Sequence, residues 1–229
     1  MIYINIIAEG ETEEAFVNEV LVSHFAALGK YVSCRRITTG WDKTNSKPAK
    51  GGLTSYAKFK NEVENWSNSD RRNQQYWYTS MIDLYAFPTD DLSPYVEKIR
   101  SIADRYQRVT ALEEAIKKDI NHPRFIPYVQ LHEFEALVMV DVERLITLYP
   151  DQGKRIQLLK EEVASMKPEE INDTLETAPS KRIIKHLPAY KGQKAAVGPL
   201  VAADIGLSVL RENCPHFDEW ITRLENICS

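Results

Sequence analysis

Apolar residues occupy nearly every position from Ile2 to Ala8, a run of strand length. It ends abruptly in Glu9-Gly10-Glu11-Thr12-Glu13, a glycine turn loaded with carboxylates. From Thr12 the apolar positions Ala15, Phe16, Val20, Leu21 and Phe25 recur at helical spacing, which predicts a helix from Thr12 to Leu28. Gly29 supplies its stop. Tyr31 to Thr38 has the β-branched and aromatic content of a strand. Thr39 to Gly52 reads as a loop, rich in Gly, Asn, Ser and Lys and ending in Lys50-Gly51-Gly52. Ser55 to Trp66 reads as a helix carrying Tyr56, Phe59, Val63 and Trp66. Gln75 to Asp83 is a second strong strand and closes on an aspartate. A loop through Pro88, Asp90 and Asp91 follows, and Pro94 sits well for the first turn of a helix running to about Asp119. Phe125 to Leu131 is a third apolar run, leading into His132-Glu133-Phe134-Glu135-Ala136.

Strands alternating with helices indicate an α/β fold with a mainly parallel sheet flanked by helices. Right-handed crossovers bring Glu9 and Asp83 to the same sheet edge. In open α/β sheets, ligands bind outside the carboxyl ends of the strands. After about Asp141 strand candidates disappear. Helical, charged segments follow at Val142 to Tyr149, Gly153 to Met166, Pro168 to Leu175, Ser180 to Leu187, Val197 to Leu210 and Phe217 to Ile227. Residues 1–140 therefore read as an α/β domain, and 141–229 as a helical C-terminal extension packed on it. No flexible linker, internal repeat or low-complexity tract intervenes.

The chain has 229 residues, 43% of them apolar and 27% charged, as in an ordinary globular protein. Its net charge of −4 argues against a protein that coats nucleic acid, though not against a local basic groove. No apolar stretch approaches the roughly 20 residues of a membrane span, and the N-terminus lacks the basic start of a signal peptide. Cys34, Cys214 and Cys228 form neither a metal pattern nor a disulfide framework. A reducing cytoplasm is the simplest compartment.

Carboxylates gather at the predicted strand ends: Glu9 and Glu13, Asp83, then Glu133 and Glu135. Acids converging on one edge repel unless a cation sits among them, and hard oxygen donors favour Mg²⁺ or Mn²⁺. Such an ion serves phosphoryl chemistry. Asp90 and Asp91 read as solvated surface acids. Glu133 and Glu135 would share one face of an extended segment, whereas on a helix His132 and Glu135 would be neighbours. His132 is open to three readings: metal ligand, proton shuttle, or a hydrogen-bonder that orients a carboxylate. Cations suited to a phosphate backbone are Arg35, Arg36, Lys43, Lys47, Lys50, Lys181, Arg182, Lys185, Lys191 and Lys194. Pro179-Ser180-Lys181-Arg182 looks like a helix start with a basic first turn, against the dipole preference. No P-loop, G-x-G-x-x-G or G-x-S-x-G sequence occurs.

An apolar strand followed by E-G-x-T-E resembles the Toprim superfamily, the metal-binding α/β fold of topoisomerases, primases and overcoming-lysogenization-defect nucleases. More closely, the chain resembles a bacterial domain-of-unknown-function family within it. The matching pieces are Ala8 to Glu13, Lys50-Gly51-Gly52, Met81 to Pro88, Gln130 to Leu137, Pro179 to Arg182 and Gly198-Pro199-Leu200. The resemblance implies a Toprim-like fold and a Mg²⁺- or Mn²⁺-dependent nuclease acting on DNA or RNA. Glu9, Glu13, Asp83 and Glu135 would hold metal, with His132, Glu133 and Lys181 completing the catalytic set. Lys50, Lys181, Arg182 and Lys191 would bind phosphate. An AAA or ABC-type ATPase partner in phage defence is implied, and a homo-oligomer is compatible with it. The sequence departs from the Toprim D-x-D at its second acid, where Tyr85 stands. Glu133 and Glu135 are the candidates to stand in for that acid, and Glu135 also resembles the F-E of RloB-like proteins. A non-catalytic sensor or scaffold subunit is the alternative.

Overall fold

The computed structural model describes residues 1–42, 47–50, 52–69, 75–171 and 177–228, with 38–42 and 47–50 described by their backbone alone. Strand β1 (Ile2–Ala8) leads through Gly10 into α1 (Glu11–Phe16), a π-helical turn (Val17–Leu21) and α2 (Val22–Ala27). Strand β2 (Lys30–Arg36) follows, then β3 (Thr38–Asp42) and β4 (Lys47–Lys50), helix α3 (Tyr56–Ser69) and strand β5 (Tyr76–Asp83). Helices α4 (Glu97–Arg100) and α5 (Arg105–Ile120) precede the short strands β6 (Phe125–Ile126) and β7 (Val129–Gln130). The rest is helical: α6 (Glu135–Val138), α7 (Gly153–Val163), α8 (Pro179–His186), α9 (Lys194–Ile205), α10 (Leu207–Asn213) and α11 (Pro215–Glu225), joined in part by 3-10 turns.

The main sheet is parallel, in the order β2-β1-β5-β6, with β7 also on β5. Central β1 pairs with both neighbours, Ala8 lying opposite Arg36 on one side and Met81 on the other. Buried β1 reads as an almost unbroken apolar run for this reason. The fold is α/β, as the alternation of strands and helices predicts.

The helix expected from Val197 to Leu210 breaks at Gly206, whose φ is 87°, and three elements of the α/β part also depart from the sequence reading. The expected loop from Thr39 contains the antiparallel pair β3–β4; the β-formers Thr38, Thr39 and Trp41 prevail over the glycines and lysines around them. The expected helix from Pro94 starts later and breaks, because Asp104 caps a new helix by accepting the Gln107 N–H at 2.8 Å. The third strand is split at Pro127, which has no N–H to give. Phe125 and Val129 nevertheless keep one register against Tyr78 and Ile82. The Ser80 hydroxyl bridges the interruption, accepting the Tyr128 N–H and donating to the Tyr128 carbonyl, both at 3.0 Å.

Strand alternation sends side chains to two cores. On one face Ile2, Ile4, Ile6 and Met81 pack with Phe16, Leu21 and Phe25 and with the C-terminal residues Val201, Phe217, Trp220 and Leu224. On the other, Ile7, Tyr78 and Ile82 pack with Phe59 and Val63 of α3 and Leu112 and Ile116 of α5. Among the described residues no helix is long and apolar enough to cross a membrane.

Trp220 pins α11 to the sheet. Its ring stacks on Tyr128 at 4.2 Å between centroids, and its indole N–H donates to Thr79 Oγ1 at 2.8 Å. Thr79→Val preserves shape but strands that buried donor. It should lower unfolding free energy by about 1–3 kcal/mol in urea titration with little change in far-ultraviolet dichroism.

Candidate functional site

The sheet's carboxyl edge gathers acids because two parallel strands end side by side. The Glu9 N–H still donates to the Met81 carbonyl at 3.0 Å, continuing the ladder past Ala8. The Glu9 carboxylate then turns across to β5 and accepts the Asp83 N–H at 2.9 Å and the Leu53 N–H at 3.2 Å. It is thus oriented by backbone on both oxygens. One helical turn on, Glu13 is buried and accepts the Gly10 N–H at 2.7 Å. A Cβ at residue 10 would stand 3.2 Å from that carboxylate oxygen, so glycine gives Glu13 its room. The π-helical turn begins only four residues later, and such turns recur at functional sites.

Asp83 ends β5. Alternation along the strand puts it on the same side as Thr79 and Met81, the side covered by α1. Its Oδ1 is buried and has no hydrogen-bond partner among the described residues.

The block after β7 is neither extended nor helical at first. It turns at His132, whose φ of 67° lies in the left-handed region, uncommon for a residue with a side chain. The Tyr85 N–H donates to the His132 carbonyl at 2.8 Å and ties this turn to the end of β5. Glu133 and Glu135 are both buried beyond it. Glu133 Oε2 accepts the Ser180 N–H at 2.9 Å at the start of α8, where the helix dipole favours an anion. Glu135 Oε1 accepts the Tyr190 hydroxyl at 3.3 Å and meets the Lys194 ammonium at 3.4 Å.

These five acids feel one another. Asp83 is pushed well above the carboxylate range by burial and then by the charges of Glu13, Glu9, Glu135 and Glu133. Glu13 is pushed up to about 8 by burial, reinforced by Glu9 and Glu135. Burial also raises Glu9, against the two N–H groups that favour its ionised form, with Glu133 adding to the rise. Burial raises Glu135 as well, against Lys194. Among the described residues no three His, Cys, Asp or Glu side chains are drawn into a finished ligand set. The acids share a field without having closed on a point. Even so, an all-oxygen donor set, mutual repulsion and the unpartnered Asp83 oxygen fit a hard divalent cation.

The expected phosphate ligands are not all gathered here. Lys181 and Lys191 are exposed, and the Lys50 side chain lies outside the described residues, as does Lys43. Arg182 corrects the sequence reading. It is buried, donating to Glu162 at 2.8 Å and to the Thr177 carbonyl at 2.9 Å. Lys185 and His186 meet the same Glu162. Burial works to raise the Glu162 carboxyl, but Lys185, His186 and Arg182 outweigh it and hold it at about 2. The basic first turn of α8 therefore belongs in part to an ion-pair hub with α7. Arg36 pairs with Glu11 and Glu14, and Arg35 lies over the Trp66 ring at 4.1 Å. Asp90 accepts the Tyr56 N–H at 2.9 Å and caps α3 instead of joining the acids. The sequence reading did not place Tyr190, Lys194 or the Ser180 N–H among the acids. Ser180 carried a signal only as a helix start, and Lys194 only as one of the cations suited to phosphate.

One protein family, described as a domain of unknown function (DUF4276), matches residues 8–225. No curated protein and no solved structure matches the chain.

Glu13 gives the metal-free chain a distinctive pH response. Its folded-state value is raised, so the folded chain keeps this proton after the unfolded chain has lost it at the ordinary value of 4.5. The stability this provides is complete below pH 4.5 and is lost as pH climbs through about 8. Glu13→Gln keeps an acceptor for the Gly10 N–H and cannot ionise. In chelator, its melting temperature should exceed the wild type's increasingly across that window, and the two should converge at acid pH. Parallel melting curves for the two proteins would refute the assignment.

Proposed function

Because the chain belongs to the DUF4276 family and that membership carries no activity, we propose one from the site: divalent-metal-dependent hydrolysis of phosphodiester bonds in DNA or RNA. The observation that carries it is the gathering of Glu9, Glu13, Glu133 and Glu135 near enough to raise the buried Asp83 carboxyl at the sheet's edge, one of whose oxygens is unpartnered among the described residues. Glu9, Glu13, Asp83 and Glu135 are the residues to hold Mg²⁺ or Mn²⁺. Such an ion, when bound, polarises a phosphate oxygen and lowers the pKa of a water.

The chain's own groups prepare this. Glu9 is pre-oriented by two N–H groups, so it pays little ordering entropy on binding a cation. Glu13 carries a proton at neutral pH that a cation displaces, which links affinity to pH. His132 acts through its backbone, turning the chain so that Glu133 and Glu135 face the strand ends. Exposed Lys181 follows directly on Ser180, whose N–H meets Glu133, which supports Lys181 as the cation for substrate phosphate. Lys191 lies in the turn that carries Tyr190. The Toprim resemblance supports the same chemistry and adds an AAA or ABC-type ATPase partner in phage defence, with self-association compatible; the three scattered cysteines suit a reducing cytoplasm.

Tyr85 at the second D-x-D position favours a second reading, a metal-free or inactive scaffold subunit, and one assay separates the two. The purified chain, alone and with its ATPase, is incubated with plasmid, single-stranded DNA and RNA in Mg²⁺ or Mn²⁺. Cleavage is expected, and Glu9→Gln or Asp83→Asn should lower it by about two orders of magnitude or more while the protein stays folded. Metal binding without cleavage of any substrate would favour the scaffold. Full activity in Asp83→Asn would remove the acid cluster from the chemistry.

A further inference from the structure

The acids of this site are neutralised in two different ways. Glu9, Glu13 and Glu133 are met by backbone N–H groups of Asp83 and Leu53, Gly10 and Ser180. Those partners are fixed and cannot leave. Glu135, besides its own backbone N–H, is met by an ammonium on a flexible stem, Lys194 Nζ at 3.4 Å. The same oxygen, Oε1, also accepts the Tyr190 hydroxyl at 3.3 Å. Glu135 is almost wholly enclosed, while Lys194 is 35% exposed at the rim.

The position of this lysine is not explained by its helix. Lys194 is the first residue of α9, where the dipole disfavours a cation. Its attraction must therefore come from the acids. The helix itself is held in place from below: a Cβ at Gly198 would stand 3.1 Å from the Tyr190 hydroxyl and 3.2 Å from the Phe134 ring. With α9 packed that closely, Lys194 can leave Glu135 by side-chain rotation alone.

We propose that Lys194 is a tethered counter-cation that occupies the acid site in the absence of a divalent ion and competes with that ion for Glu135. The inference rests on the metal-centre reading above and adds its regulation. The lysine stabilises the empty site, suppresses capture of stray cations and is displaced when a divalent ion arrives.

The test is calorimetric titration of the full chain with Mn²⁺ alone, in wild type, Lys194→Met, Lys194→Gln and Lys194→Arg. Removing the competing charge should tighten Mn²⁺ binding about fivefold in the Met and Gln variants, the scale of a part-exposed ion pair. The Arg variant should bind as the wild type does. In chelator, the Met and Gln variants should melt lower than wild type, and Mn²⁺ should raise their melting temperature by more than it raises the wild type's. Gln keeps a hydrogen-bond donor for Glu135, so it serves if Met fails to fold. Binding in wild type with equal or weaker affinity in the folded neutral variants overturns the role of Lys194 and leaves the metal centre standing. No binding in wild type or in any variant overturns both. Binding that emerges only in the neutral variants supports the lysine as the block.

Discussion

One hydrogen bond, from the Asp83 N–H to the Glu9 carboxylate at 2.9 Å, ties the ends of the two central strands together. It exists because β1 and β5 run parallel and in register, Ala8 opposite Met81. Everything acidic in the site is arranged around it. Glu13 approaches from the helix that β1 enters, and Glu133 and Glu135 approach from the turn after β7, which β5 holds through Tyr85. Sheet geometry buries these carboxyls and brings like charges together, and burial first, then repulsion, raises their pKa values. Backbone N–H groups offset part of the cost at Glu9, Glu13 and Glu133, and Lys194 offsets part at Glu135.

The strand ends were legible because their signal is local. An apolar run stopped by Glu9, and another stopped by Asp83, give both the strands and the edge at which the acids stand. The alternation of elements gives the parallel sheet. Long-range pairings left no comparable mark. Arg182 reads as a cation at a helix start, yet it is bound to Glu162, which lies twenty positions earlier on α7. Lys194 reads as one lysine among many, and only the packing of α9 brings it to Glu135. The turn at His132 was ambiguous between strand and helix since a left-handed residue belongs to neither period. The apolar run from Phe125 to Leu131 hid the break at Pro127, and nothing local foretold that Ser80 would bridge it.

Asp90 and Arg182 show how a charged residue in a plausible place can be engaged elsewhere. Asp90 reads as a solvated surface acid, but the open N-terminus of α3 claims it through the Tyr56 N–H. Arg182 is claimed by the α7–α8 contact. In both cases an unmet backbone group or a buried opposite charge decides the outcome.

The core beneath β1 has a consequence for how this chain can be taken apart. Ile4 and Ile6 at one end of the sequence and Phe217, Trp220 and Leu224 at the other belong to a single cluster. A fragment ending near residue 140 would keep Phe16, Leu21 and Phe25 against this face but uncover the part that Val201, Phe217, Trp220 and Leu224 fill, an apolar surface prone to self-association. The helical portion alone would lack the sheet on which it is seated. Swapping either half between relatives would therefore require matching a shared interior, so substitutions on the two sides are coupled through volume. The acid edge inherits this restriction: its carboxylates come from both sides of position 83, but the helices that hold Glu133 and Glu135 in place come from the far end of the chain.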